Sequence, residues 1–348
     1  MSLTVEARFD RASERAGSRD ASSATRSLGT RVYLPACAIT AAAAALIAIG
    51  WSTRWGGADF TGTLTSLRVV VIGPATLVIL SLLLAAERLW PAQRRPIFAR
   101  GYRHDVLYTI LNATLTLPFV AALSLSFAEV VRHRLHWLTF PRVGWLPHGL
   151  AIAVIFVAMD GCNWAAHLAN HRVQALWRFH ELHHSQEDMS VLTVFRTHPF
   201  VHIVYLVALV PGVVLIANGG LSTTLLVAYA GEVALAHSNL RLSFGPLGRI
   251  LVSPNYHRIH HRLEGRQDVN LGFALTIWDQ LFKTAVMPTR DTVAIATGLP
   301  GRPLRVEHGA PRPHHLAVFV AQLVAPFRPL DDLDDLSNRG ADARTFSP

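Results

Sequence analysis

The chain has 348 residues, of which 51% are hydrophobic and 16% are charged, and its formal net charge is +9. Soluble domains carry about 25% charged residues, so this composition argues against an ordinary soluble protein and favours a multi-pass membrane protein. No basic stripe with interleaved aromatic residues is present, so nucleic-acid binding is not predicted. The two cysteines, Cys37 and Cys162, both lie in apolar runs. They exclude a disulfide framework and a cysteine-ligated metal cluster.

The N-terminal part divides into a polar tail and two apolar runs. Residues 1–31 are rich in Ser and Arg and predict a disordered cytoplasmic tail. The runs at 32–50 and 69–86 are each long enough to cross about 30 Å of hydrocarbon, so residues 32–90 are predicted to form two transmembrane helices. A basic loop follows, with Arg94, Arg95, Arg100 and Arg103.

Four further apolar runs, at 106–128, 146–166, 200–217 and 221–236, lie within a predicted catalytic region spanning 91–287. The last two predict a hairpin that turns at 218–220. Six crossings with the tail inside place the basic loop 91–105 on the inner face, as the positive-inside rule expects. The loop 129–145 also carries arginines, which suggests that the third and fourth runs form a shallow hairpin. Residues 288–348 are predicted to be a polar, Pro-rich tail with solvated histidines at 314 and 315.

Nine histidines on four segments stand out because of their spacing. On an α-helix, offsets of three and four residues place side chains on neighbouring positions of one face. Such density of imidazole without cysteine suits a transition-metal site, and two metals could share the nine ligands. The candidate ligands are His167, His171, His180, His183, His184, His237, His257, His260 and His261.

Three alternatives to a redox di-metal site remain open. The first is a zinc site that only joins helices. The second is a membrane zinc hydrolase, because residues 180–184 read H-E-x-x-H with Glu181 as the general base. The third is a non-enzymatic protein in which paired histidines bind haem.

The arrangement H-x3-H, H-x2-HH and a later H-x2-HH resembles the fatty acid hydroxylase/sterol desaturase superfamily. The flanking sequences LWRFHELHHS, RTHP, HSN and WDQLF also agree, and the resemblance covers roughly residues 85–287. Two positions depart from the family pattern. The family often has Asn-Tyr-Gly where this chain has Asn270-Leu271-Gly272, and Gly where this chain has Lys283.

The resemblance implies an all-α, multi-pass integral membrane bundle with a histidine-rich di-metal site on its cytosolic side. It implies two non-haem irons that activate O2, with no catalytic residue beyond the ligands. The implied reaction is hydroxylation or desaturation of a lipid such as a sterol or fatty acyl chain, in lipid biosynthesis. Because the chain has no Cys-rich or dinucleotide-binding motif, electrons are expected from a separate ferredoxin or cytochrome b5-like protein with its reductase.

Three further residues are candidates for supporting the ligands. Asp160 lies two helical turns before His167, and could fix the tautomer of a ligand or join two helices by hydrogen bonding. Asn239 could reach a metal through water, and His198 is expected beside the site rather than in it. The preference for Arg over Lys suggests a bacterial inner membrane with the site on the cytoplasmic side.

Overall fold

The computed structural model describes residues 60–96, 98–99, 101–138, 148–211, 223–299 and 315–327. The predicted tail at 1–31, the run at 32–50 and the hairpin turn at 218–220 lie outside the described residues. Within the described part the chain is helical, and its only β-type pairs are three isolated bridges. The all-α prediction is therefore confirmed for these residues.

Ten α-helices are described, and they set the frame in which the histidines lie. Their bounds are α1 Phe60–Leu89, α2 Tyr102–Leu111, α3 Leu117–Arg134, α4 His148–Arg172, α5 Gln174–His184, α6 Pro199–Val204, α7 Thr223–His237, α8 Pro254–His260, α9 Ile277–Leu281 and α10 His315–Val324.

The apolar run that contains Asn112 and Pro118 forms a nearly continuous helix. A π-helical turn, Asn112–Thr116, joins α2 to α3 without ending the helix. The Asn112 side chain is fully buried and donates to the carbonyls of Phe195 and Thr197. The prediction of a loop from 129 is wrong, because α3 continues to Arg134. The wider π-helical turn accommodates Asn112 without ending the helix, so α2 continues into α3.

Helix α4 carries the first two histidines at its C-terminal end. Its segment Gly149–Arg172 is long and apolar enough to cross a membrane, and only 33% of its most apolar window is buried within the protein. Among the described residues it is the one helix that meets this test. The apolar run predicted to end at 166 thus continues as helix through both histidines.

Part of the C-terminal region, which is predicted to be a polar, Pro-rich tail, packs against the rest of the protein. Helix α10 packs through Phe319 against Tyr108 and Leu182, so it lies directly behind α5. The His315 carbonyl accepts a hydrogen bond from the buried His104, and its ring contacts Arg103, so His315 is not simply solvated. Apolar residues at helical spacing provide the burial that holds α10 in place.

Residues 288–299 cover the histidine region from another side. The Leu263 amide donates to the Ala296 carbonyl at 2.8 Å, and the Gly298 amide donates to the His261 carbonyl at 3.1 Å. The Thr297 hydroxyl donates to the Glu187 carbonyl at 2.7 Å. The polar groups of this segment therefore form hydrogen bonds with loops of the catalytic region.

Candidate metal centre

Four helices bring the nine predicted histidines together near their C-terminal ends. Helix α4 supplies two of them, α5 supplies three, α7 ends on one, and α8 with the residue after it supplies three. Eight of the nine are buried, and His171 is partly buried. Charge-poor helices thus end in a cluster of imidazoles rather than in solvent.

The histidines form two groups, within each of which one ligand atom per residue lies within 4.8 Å of the others. Nitrogen atoms bound to one ion at about 2.1 Å lie up to about 4.2 Å apart, so each group has suitable dimensions. The two groups adjoin, since the rings of His184 and His261 stack at 4.4 Å. The five-histidine group is His167, His171, His180, His184 and His260, and the four-histidine group is His183, His237, His257 and His261.

Helices α5 and α8 each contribute to both groups, in opposite proportions. On α5, the i, i+4 pair His180 and His184 belongs to the five-histidine group, and His183 belongs to the other. On α8 and its following residue, the i, i+4 pair His257 and His261 belongs to the four-histidine group, and His260 belongs to the five-histidine group. Residues four apart differ by about 40° around a helix, and residues one apart by about 100°, which separates adjacent histidines.

Backbone carbonyls fix the tautomers of three of these rings. Nδ1 of His167 contacts the Leu271 carbonyl at 2.8 Å, Nδ1 of His260 contacts the Val269 carbonyl at 2.8 Å, and Nδ1 of His237 contacts the Val233 carbonyl at 2.7 Å. A carbonyl only accepts, so each Nδ1 carries the hydrogen and each neutral ring presents a lone pair at Nε2.

Hydrogen bonding alone does not satisfy the ring nitrogens inside the groups. Nε2 of His180 lies 3.1 Å from Nε2 of His167 and 3.2 Å from Nε2 of His184. Nε2 of His237 lies 3.0 Å from Nε2 of both His183 and His257. One ring nitrogen holds one hydrogen or one lone pair, so it cannot form two good hydrogen bonds of this kind. Convergent lone pairs of this sort are satisfied by a cation.

Four buried ring nitrogens of the five-histidine group have no hydrogen-bond partner, and the two that are Nε2 atoms make the same point. Nε2 of His171 and Nε2 of His260 are buried and have no hydrogen-bond partner. A buried acceptor without a partner costs free energy, and native proteins rarely leave one unexplained. The donor set therefore fits two ions of the kind that imidazole prefers, iron or zinc among them.

The electrostatic environment keeps these rings neutral. Burial lowers the pKa of His184, His260 and His261 well below the ordinary histidine value, and neighbouring histidines lower it further. The pKa of His257 is lowered for the same two reasons. Neutral imidazole is the form that binds a metal, so no proton needs to be displaced near neutral pH.

The three predicted supporting residues bond elsewhere than to the histidine rings. Asp160 accepts from the amides of Ala274 and Leu275 and from the Trp278 and Tyr229 side chains. It therefore holds the segment after Leu271, and the tautomers are set by backbone carbonyls instead.

The amide side chain of Asn239 is occupied by neighbours on the inner face. It accepts from the Gln93 amide and from Arg258, and it donates to the Gln93 carbonyl. His198 caps α6 by accepting from the Phe200 amide, and its other nitrogen contacts the Leu323 carbonyl on α10. Both residues position backbone around the site.

Two residues that sequence reasoning missed support the groups from behind. Asp279 is fully buried and bonds to the loop whose Leu271 carbonyl holds His167. Arg196 is fully buried, pairs with Asp105 at 2.9 Å, and offers its backbone carbonyl to His183. The only sequence signals were the positions of these residues in WDQLF and RTHP, and these short motifs do not by themselves indicate a chemical role.

Residues 152–284, which contain all nine histidines, match the family described as fatty acid hydroxylase. The chain is 28% identical to the ornithine lipid hydroxylase OlsE of Rhizobium tropici over 269 residues, covering 74% of this chain and 75% of that protein. It is 30% identical to the alkylglycerol monooxygenase of Xenopus tropicalis, over 40% of this chain and 31% of that protein. It is also 30% identical to the human alkylglycerol monooxygenase, over 37% of this chain and 29% of that protein.

The match thus spans three quarters of the bacterial relative and less than a third of these monooxygenases. No solved structure matches the chain significantly. The range that matches the family model, residues 152–284, is the part of the chain that carries the histidine groups. The resemblance seen in the histidine spacing is confirmed, and the chain fits the fatty acid hydroxylase/sterol desaturase superfamily.

Proposed function

We propose that this protein is an O2-dependent lipid hydroxylase with two non-haem irons. The observation that carries the proposal is the pair of adjacent groups of buried, neutral histidines whose lone pairs converge. Nine neutral imidazoles can hold two ions and still leave coordination positions open. When bound, the irons supply the activation of O2 that no side chain provides.

The roles of the chain's own residues follow from their placement. The five-histidine group holds one iron and the four-histidine group holds the other. The carbonyls of Leu271, Val269 and Val233 keep three ligand rings in the metal-binding tautomer. Burial excludes bulk water, and the apolar helices that end at the site position a lipid chain beside it.

Hydroxylation is proposed in preference to desaturation because of the relatives' names. The bacterial relative is an ornithine lipid hydroxylase, and the animal relatives are alkylglycerol monooxygenases. One oxygen atom enters a C–H bond and the other leaves as water, so each turnover needs two electrons and two protons. The proposed substrate is a lipid such as a sterol, a fatty acyl lipid or a related compound, and the reaction belongs to lipid biosynthesis.

A multi-pass membrane location is proposed from the exposed apolar surface. Helix α4 leaves Leu150 50% exposed, and α3 leaves Phe119 58% exposed. Such surfaces are unfavourable in water and are normal for helices in contact with lipid. With the N-terminal tail inside, the histidine groups lie on the cytoplasmic side, and the composition favours a bacterial inner membrane.

The domain division predicted from the sequence is retained as part of this proposal. It comprises an N-terminal tail at 1–31, two transmembrane helices at 32–90, a catalytic domain at 91–287, and a C-terminal region at 288–348. The family match at 152–284 supports the catalytic assignment. Within the described part of the last region, α10 packs against α5 and so supports that domain.

A separate electron donor, a ferredoxin or cytochrome b5-like protein with its reductase, is proposed to dock on the basic inner face. Arg94 and Arg103 are exposed there and suit an acidic partner. The prediction that Arg95 belongs to this surface is wrong, because its side chain is only 8% exposed and pairs with Asp188. Arg100 lies outside the described residues.

Isotope labelling tests the proposed reaction directly. Purified protein, lipid, a reductase and its carrier are incubated under 18O2, and the lipids are analysed by mass spectrometry. Hydroxylation predicts one labelled oxygen in the lipid product. Product without label but with a new double bond would indicate desaturation. Product that is labelled only in a parallel incubation in H2 18O would indicate hydrolysis at the H-E-x-x-H sequence. Either result would overturn the proposal.

A further inference from the structure

A buried carboxylate, that of Asp279, joins the elements that surround the five-histidine group. Its Oδ1 accepts from the indole of Trp164 at 3.0 Å, from the Leu271 amide at 3.0 Å and from the Thr284 hydroxyl at 2.6 Å. Trp164 lies on α4, three residues before His167. The first oxygen therefore connects the helix of His167 to the loop that holds its ring.

The second oxygen reaches the same loop and a third element. Oδ2 of Asp279 accepts from the Gly272 amide at 2.8 Å and from the Tyr256 hydroxyl at 3.0 Å. Tyr256 lies on α8, next to His257. A Cβ at position 272 would lie 3.1 Å from this oxygen and 2.5 Å from the Leu275 carbonyl, so only glycine allows the approach.

The loop itself has a conformation that presents its carbonyl to His167. Asn270 has a φ of 55°, in the left-handed region that asparagine tolerates better than most residues. Its side chain donates to the Tyr256 and Val286 carbonyls and accepts from the Val286 amide. The next residue, Leu271, then offers its amide to Asp279 and its carbonyl to His167.

We propose that Asp279 is a positioning residue for the five-histidine iron site. It acts through Leu271, because holding that peptide fixes both the orientation of the His167 ring and the nitrogen that carries its hydrogen. It also fixes α8 relative to α4 through Tyr256, and α8 supplies His260 to the same group. This inference rests on the proposed function, since it assumes that the group holds an ion.

The carboxylate has no equivalent among neutral side chains at this position. Five groups donate hydrogen bonds to the Asp279 carboxylate, and an ionised carboxylate has acceptor sites only. In Asp279→Asn, an N–H group would face either the Gly272 amide or the Leu271 amide. A backbone N–H cannot rotate away, so one peptide of the loop would shift. Outer residues that orient metal ligands typically contribute roughly 10–100-fold to metal affinity.

The test compares Asp279→Asn with Thr284→Val in the full-length, detergent-purified protein. Metal-free protein is titrated with Fe2+ under anaerobic conditions, and bound iron is counted at each free concentration. Asp279→Asn should keep one iron at wild-type affinity and bind the second roughly 10–100-fold more weakly. Thr284→Val removes one donor to the same oxygen without touching Leu271, and should bind both irons within a few-fold of wild type.

The outcomes separate this inference from the proposed function. If the wild type binds two irons and a folded Asp279→Asn variant also binds two at unchanged affinity, the positioning role is wrong. If Thr284→Val weakens one site as strongly as Asp279→Asn, the link through Leu271 is wrong. A wild type that binds no iron would overturn the proposed function, and this inference with it. Should Asp279→Asn not fold, Asp279→Glu keeps the charge but moves both carboxylate oxygens away from their present positions at the Leu271 and Gly272 amides. Unchanged affinity for both irons in that variant would contradict the role of Asp279.

Discussion

The two histidine groups are similar in composition and differ in how their rings are held. In the four-histidine group, the ring of His237 bonds to the carbonyl of Val233, one turn earlier on its own helix. In the five-histidine group, the ring of His167 bonds to Leu271, which is 104 residues away. One group is thus oriented partly by local helical geometry, and the other depends on a distant loop.

This difference shows what each group requires from the rest of the fold. His183, in the four-histidine group, is supported by the carbonyl of Arg196, whose side chain forms a buried ion pair with Asp105. The five-histidine group is supported by Asp279 and the loop from Asn270 to Gly272. Each group therefore has its own buried charged residue behind it, and the two can be perturbed separately.

Removal of a ligand from either group should have the largest effect. His184→Ala removes a ligand from the five-histidine group, and His261→Ala removes one from the four-histidine group. Each should lower bound iron and reduce hydroxylation by more than about 100-fold, since residues that only orient ligands already contribute roughly 10–100-fold. Iron content, turnover and membrane insertion are measured together. Either variant with two irons and normal turnover would show that the ligand assignment is wrong.

The support of the four-histidine group is tested by Asp105→Ala. This change leaves the guanidinium of Arg196 buried without its carboxylate, which should lower the free energy of unfolding by about 3–5 kcal/mol. Thermal unfolding in detergent measures the loss. Asp268→Ala is the control, because its partner Arg172 is 57% exposed and exposed pairs contribute about 1 kcal/mol or less. Equal losses in the two variants would contradict the claim that the buried Arg196–Asp105 pair contributes more to stability than the exposed Arg172–Asp268 pair.

The sequence predicted the nine histidines but not their division into groups. Offsets of three and four residues predict a shared face, and the fold splits that face so that His183 and His184 belong to different groups. The carbonyls of Leu271 and Val269 could not be predicted, because backbone atoms have no side-chain signature and the contact with Leu271 is distant in sequence. The position of Asp160 two turns before His167 predicted a supporting role, but its partners depend on the position of the loop at 274–278.

Composition was a poor guide to the C-terminal region for a related reason. Proline and polar residues predict a solvated tail, yet Phe319 and Val318 on α10 are buried and residues 296–298 bond to the histidine region. A short amphipathic helix within a polar stretch adds little to the average composition. Its burial depends on the matching surface of Tyr108 and Leu182, which only the fold provides.

Glu181 lies on α5 between ligands of the two groups and distinguishes the di-iron reading from the zinc-hydrolase reading. In a hydroxylase it is not the general base, so Glu181→Gln should keep a substantial fraction of turnover. A hydrolase would lose its water-activating base, at a cost of roughly 10²–10⁴-fold. Turnover and metal content of the variant are measured together, and near-complete loss of turnover with unchanged metal would favour the hydrolase.

The smallest expected effect concerns the loop beyond the five-histidine group. Lys283 has a φ of 60°, in the left-handed region, which explains why glycine is typical of the family at this position. Lys283→Gly should raise the free energy of unfolding by about 0.5–1 kcal/mol, since relief of backbone strain outweighs the added freedom of the unfolded chain. Lys283→Ala keeps the strain and should give no gain. A gain in the alanine variant equal to that in the glycine variant would contradict this explanation.

The central claim is that each of the two histidine groups holds an iron. The most direct test is elemental analysis of the purified wild-type protein, combined with its absorption spectrum. The account predicts two irons per chain, little zinc and no Soret band. One zinc per chain, or a Soret band from haem, would contradict it.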